Sequence, residues 1–212
     1  MAFLQPPQAT SKTGGRAGYD FSNVKNRAGV TKGTLIRTPE FDVPVEDLRA
    51  GDTVMTEDHG AQQISWISKV SLAADGAYAP VHIADRALGN VGEMTVAPDF
   101  RVVLKGWRSA KVAGAKEVFA AAQHLVNDRD IKRLYRPRVT YYHLAFEQHE
   151  VIQANSMLTE SLHPEVAPIQ TLPEEIRNEL RGLYPGAAER PNDFGPLARP
   201  EVKPYEARLI RP

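Results

Sequence analysis

Between residues 33 and 163 the apolar positions fall in short runs. They read "TLIRT" (34–38), "DTVMT" (52–56), "QQISWISKVSL" (62–72), "PVHIA" (80–84), "MTVAP" (94–98), "FRVVL" (100–104), "VTYYHLAF" (139–146) and "EVIQA" (150–154). Most have strand length, are rich in β-branched and aromatic residues, and are bounded by Gly, Pro, Asp or Asn. That pattern predicts a mainly β domain. One segment departs from it. In "AKEVFAAAQHLVN" Val118, Ala121, Ala122 and Leu125 recur at helical spacing, which predicts a short helix.

The flanks have a different texture. Residues 1–28 are rich in Gly, Ser, Gln and Pro, with little periodic apolar content. They read as an extended N-terminal arm that a partner would order. Nine of the sixteen prolines lie from Pro164 onward. Within that Pro-rich tail, "TLPEEIRNELRGLYPG" has Thr171 and Glu174 at capping-box spacing and Gly182 as a stop. A short helix is expected near 172–181, with Ile176 and Leu180 on one side. The rest, "AAERPNDFGPLARPEVKPYEARLIRP", is expected to be irregular and extended over the core or over a neighbour. The expected organisation is therefore 1–28 arm, 29–163 β domain and 164–212 tail.

Composition narrows the classes. In 212 residues, 42% hydrophobic content is enough for a core. No apolar run approaches membrane-spanning length, and the N-terminus has no basic-then-apolar export pattern. The expectation is a protein made in the cytoplasm without a Sec-type signal and without a membrane. The absence of cysteine removes disulfides, thiolate metal sites and thiol nucleophiles. Charge sums to zero but is sorted: residues 38–100 carry eleven acidic and three basic side chains, residues 101–138 ten basic and three acidic. A polyanion site through Arg129, Lys132, Arg133, Arg136 and Arg138 would follow from the second block. The absence of interleaved aromatics argues instead for a solvated face complementing the acidic block, and against nucleic acid.

The most specific signal is "GTLIRTPEFDVPVEDLRAGDTVMTEDHG": a Gly-Thr entering a strand, a short two-stranded excursion, then "VEDLRAGD" and another strand. It resembles the first block of the Hint fold shared by hedgehog autoprocessing domains and inteins, most closely the bacterial Hint-type domains. The resemblance continues through "PVHIADRALGN", "TVAPDFRVVL", "AAQHLVN", "VTYYHLAFEQHEVIQANSMLTESL" and "ARPEVKPYEARLI". It implies a Hint-like β fold with one or two short helices.

It also implies a chemistry. In the family a Cys or Ser attacks the carbonyl just upstream, and a Thr or Ser with a His three residues later polarises and protonates the scissile amide. In splicing members a C-terminal Asn then cyclises. Carried onto this chain, the nucleophile position is Gly29, the Thr or Ser position is Ala97 and the His position is Phe100. None of the three can do the work, so no catalytic residue is expected. Thr34, His149 and Asn155 are the remnants: the structural Gly-Thr pair, the later histidine, and the Asn matched to the C-terminal junction. Asn155 is preceded by Ala154, where splicing domains usually carry His, and a turn after "EVIQ" explains it as well. Thr31 lies two residues out of register for a replacement nucleophile.

His143 and His149 share a face on ideal strand alternation, and Glu147 or Glu150 would complete a metal site. With no HxxxH or HExxH spacing, satisfied histidines are the simpler reading, and no metal or cofactor is expected. Glu46, Asp47 and Asp52 read as turn residues. Three functions remain in play. One is an inactive Hint-like module for structure or assembly, holding a protein partner or copies of itself through the arm and tail. Its specific version is a subunit of a phage-like particle, such as a head spike or tail component, or of a surface assembly. With 28 residues ahead of Gly29, a stand-alone protein is expected. The others are residual self-cleavage, near Thr31 or at Asn155, and polyanion binding.

Overall fold

The computed structural model describes residues 29–163 and 195–211, together with Glu174 and Asn178. The arm at 1–28 lies outside these residues, as does the helix expected at 172–181 apart from those two positions. Fourteen strands, two α-helices and three 3₁₀ segments have their bounds among the described residues, and Glu174 and Asn178 are also helical. In order the strands and α-helices are β1 Val30–Thr31, β2 Leu35–Arg37, β3 Asp42–Pro44, β4 Thr53–Thr56, β5 Gly60–Gln63, β6 Trp66–Ala74 and β7 Val81–Ile83. There follow β8 Met94–Val96, β9 Arg101–Lys105, α1 Trp107–Ala113, β10 Glu117–Ala121, β11 Ile131–Arg133, β12 Arg136–Ala145, β13 Val151–Ala154, β14 Met157–Glu160 and α2 Pro204–Ile210.

Two sheets form. One has the order β11-β7-β8-β1-β12-β6, the other β10-β9-β14-β13-β2-β3, with β4 joined to β13 and β5. Neighbours are antiparallel throughout. Sequence-distant strands are therefore brought side by side: β1 lies between β8 and β12, and β14 between β13 and β9. A single large core runs between the sheets through Ile36, Val54, Ile83, Val96, Val102, Leu125, Tyr141 and Ile152.

Two expectations are corrected. "AKEVFAAAQHLVN" is mostly strand: β10 pairs with β9 from Glu117↔Lys105 to Ala121↔Arg101, and only Ala122–Leu125 turns, as a 3₁₀ segment. β10 is apolar on consecutive positions because both of its faces are covered. Val118 and Ala120 enter the main core, while Phe119 packs with Val103 and Val151 on the other side. A strand buried on both faces loses the alternation that distinguishes it from a helix.

The tail is the second correction. Residues 195–203 are irregular, with a bend at 198–199, but Pro204–Ile210 form α2, with Pro at its start and the Glu206 carboxylate accepting from the Lys203 N–H. Val202, Ala207 and Ile210 are part of the main core. The Phe119 N–H donates to Pro200 O at 2.8 Å and the Val202 N–H to Phe119 O at 2.9 Å, so the tail lies along β10 as an added parallel rung. Arg199 fixes it to the body through a bidentate pair with Asp58 and a 2.7 Å bond to Glu117. The folded body thus includes residues beyond 163. α1, capped by Gly114 at φ 72°, had no expected counterpart.

Candidate functional site

Gly29 stands at the entrance to β1, its carbonyl accepting from the Ala97 N–H at 2.9 Å. Val30 pairs with Val96 on one side and Tyr142 on the other. The β8–β9 connection, Ala97 to Phe100, crosses from one sheet to the other and is closed by a Phe100 N–H to Ala97 O bond of 3.1 Å. Gly29, Ala97 and Phe100 are thus brought together, as their motif positions require, and all three are buried.

What surrounds Gly29 decides its chemistry. Its φ is +112°, a region L side chains avoid. A Cβ there would stand 2.7 Å from Tyr142 O and 3.1 Å from His143 Nε2. The β12 backbone thus crowds the place where a side chain at position 29 would begin. The gap left is a cavity of about 20 Å³, room for one water, lined by Gly29, Phe100, His143, Glu160 and Ser161 among others.

Behind it lies a buried ionic group. Glu160 accepts from the Arg101 N–H at 2.7 Å and from Arg101 Nη1 at 2.8 Å. Arg101 Nε also donates to Glu201 of the tail at 2.8 Å. His149 Nδ1 accepts from the Ala198 N–H, which leaves Nε2 to carry the proton facing Glu160 at 3.6 Å. Burial pushes the Glu160 carboxyl up, but His149 and the Arg101 guanidinium outweigh it and hold it below the ordinary glutamate range. His149 also contacts the rings of Phe119 (5.3 Å) and His163 (4.9 Å). It ties tail to body.

The other remnants have structural partners. Thr34 Oγ1 donates to Thr31 O at 2.8 Å, and Thr31 Oγ1 to Thr95 O at 3.0 Å. Asn155 is in the β13–β14 turn, where it and Ser156 have φ of 48° and 64°. Its Oδ1 accepts from the Leu35 N–H and its Nδ2 donates to Glu93 O, so it clamps three segments. It does not line the cavity beside Gly29; Glu160 and Ser161 do. His143 borders the cavity, His149 faces Glu160, and Glu150 pairs with His59 at 2.9 Å. No group of three potential metal ligands occurs among the described residues. No described helix is long and apolar enough to cross a membrane. Arg133 and Arg138 of the basic block donate to the Ala79 and Ser71 carbonyls, and Gly33 N–H bonds Glu46 while Asp52 closes its own turn onto the Arg49 N–H.

The Hint domain profile matches residues 28–166, and the chain belongs to the Hint domain family. Solved structures of similar fold include a splice-inactive variant of the AceL NrdHF class 3 split intein: 13% identity, 64% of this chain and 99% of that one, TM-score 0.43. A DnaB intein from Synechocystis sp. PCC 6803 gives 14%, 64%, 99% and 0.40. The bacterial intein-like domain from Clostridium thermocellum gives 15%, 64%, 98% and 0.39. No curated protein matches. Arg101 and Glu160 escaped the sequence reading, which considered His143 only as a metal ligand beside His149. Only the "TES" ending of the last β block hinted at the buried carboxylate, and no spacing rule links it to Arg101, 59 residues earlier.

Proposed function

We propose that this chain is a Hint domain without self-processing chemistry that serves as a docking and assembly module. The observation that carries the reading is the closure around Gly29: positive φ, and a Tyr142 carbonyl where a side chain would begin. Ala97 and Phe100 occupy the other two positions at which the family's chemistry would need a hydroxyl and an imidazole. Three changes at one constellation, with the backbone packed against them, support a site kept for its shape.

The assembly half rests on surface and composition. Trp107, Tyr135, Val91, Phe41, Tyr205 and Leu209 are large apolar side chains left exposed, available to a partner. The Gly-, Ser- and Pro-rich residues 1–28 have the composition of a segment that folds on binding. A repeated subunit of a phage-like particle or surface assembly is the specific version.

Two experiments test the halves separately. The combined variant Gly29→Cys, Ala97→Thr, Phe100→His should stay uncleaved under thiol and should melt below the parent. Thiol-dependent cleavage before residue 29 would overturn the closure. Sedimentation of the full chain should show a species larger than the monomer that is lost on deleting residues 1–28. A full chain that sediments as a monomer and captures no partner in crosslinked native lysate would overturn the module.

A further inference from the structure

We infer that a recess between the β7–β8 loop and the turn before β11 is a binding site for a phosphate-bearing ligand. The recess, about 260 Å³, is bordered by Asp85, Arg86, Asn127, Arg129, Asp130 and Arg211. It lies outside the Gly29 constellation, and only Arg129 of the basic block belongs to it.

Both loops are rigidly built. Asn90, fully buried, donates to Ala84 O and Gly92 O and accepts from the Leu88 N–H, while the Arg86 N–H donates to Asn90 O. Asn127 Oδ1 accepts from the N–H groups of Arg129, Asp130 and Ile131. The framework holds two non-glycine residues in the left-handed region, Arg86 at φ 64° and Asp128 at φ 56°. The other two such residues in the described chain form the β13–β14 turn. Glycine or asparagine would fit position 86 at lower cost. An arginine there presents a long cation from a fixed, strained corner.

Two of the three guanidiniums are hydrogen-bonded at one edge, and the third lies near a carboxylate. Arg129 Nε donates to Asp130 at 2.8 Å, Arg86 Nε lies 3.6 Å from Asp85, and Arg211 Nη1 donates to Val126 O at 2.6 Å. Asp85 is itself held by the Gly92 N–H. The Nη ends of Arg86 and Arg129 reach solvent, their side chains 88% and 80% exposed, and only Arg129 has its Nε hydrogen-bonded to the neighbouring aspartate. Three arginines against two aspartates leave the recess net positive in a chain of zero net charge. Forked guanidinium donors bordering one concavity match the oxygens of a phosphate group.

The test is calorimetric titration of the full chain with pyrophosphate and, separately, with a short single-stranded oligonucleotide. Pyrophosphate is expected to bind, with affinity falling about tenfold or more in Arg86→Ala/Arg129→Ala and unchanged in Arg138→Ala. The Arg86→Lys/Arg129→Lys variant keeps the charge and should recover part of the loss. Oligonucleotide binding with the same dependence, and a salt slope of about −0.7 per phosphate contacted, would assign a phosphodiester chain. Pyrophosphate binding alone would assign a free phosphate ester. No binding of either probe, or equal binding by the double alanine variant, overturns the site.

Discussion

At Gly29, two constraints act on the same atom. The backbone torsion excludes most L residues, and the Tyr142 carbonyl occupies the place of the missing Cβ. Gly29→Ala should therefore lose about 1–3 kcal/mol in a denaturant titration; an unchanged midpoint would mean that β12 can step aside. Glu160 behaves differently. Its folded-state carboxyl lies below the ordinary value of 4.5, so ionisation favours the fold. That contribution is complete above the ordinary range and drains away as the pH falls through it toward the folded value. Glu160→Gln should flatten this acid limb and, by leaving Arg101 partly uncompensated, cost about 3–5 kcal/mol at neutral pH. A variant with an acid limb as steep as the parent's would remove Glu160 from the account. Gly29, Ala97 and Phe100 could be marked from the sequence because the first sits four residues before the Gly33-Thr34 pair and the other two lie within "VAPDF". Arg101 and Glu160 were not, nor was the contact of either with His149, since only the stacking of strands distant in sequence brings them together.

Among the elements, β10 and α2 show where local pattern fails. An apolar run reads as helix when its spacing allows, yet here the tail supplies a second buried face and makes a strand possible. The strands at "TLIRT", "PVHIA", "FRVVL" and "VTYYHLAF" were legible because turn residues bracket them. α2 was hidden among prolines and charges, and its apolar face needs the core to be recognised as one. Ile210→Ala should cost about 2–5 kcal/mol, since Ile210 is 5% exposed and docked in the main core. The amides of Phe119 and Val202 should exchange together, protected like the β9–β10 ladder. Rapid exchange at Val202 with a protected β9–β10 would mean that the tail is dispensable.

Over the whole molecule, two antiparallel sheets bring β1, entered through Gly29, against β8 and β12, with the end of β14 lining the same cavity. The Hint architecture was legible from the spacing of its blocks; the extent of the folded body was not. Sequence character changes at Pro164, while the core continues through Val202, Ala207 and Ile210. Sorting of charge along the chain likewise did not foretell its use: Arg199 and Arg101 secure the tail by pairing with Asp58, Glu117, Glu160 and Glu201. The central claim is that the fold persists without the chemistry. Its most direct measurement is the intact mass of the full chain carrying a folded tag ahead of Met1, incubated with and without thiol or hydroxylamine. A single full-length mass under all conditions is the predicted result. Release of the tag at a defined bond beside Gly29 would contradict it.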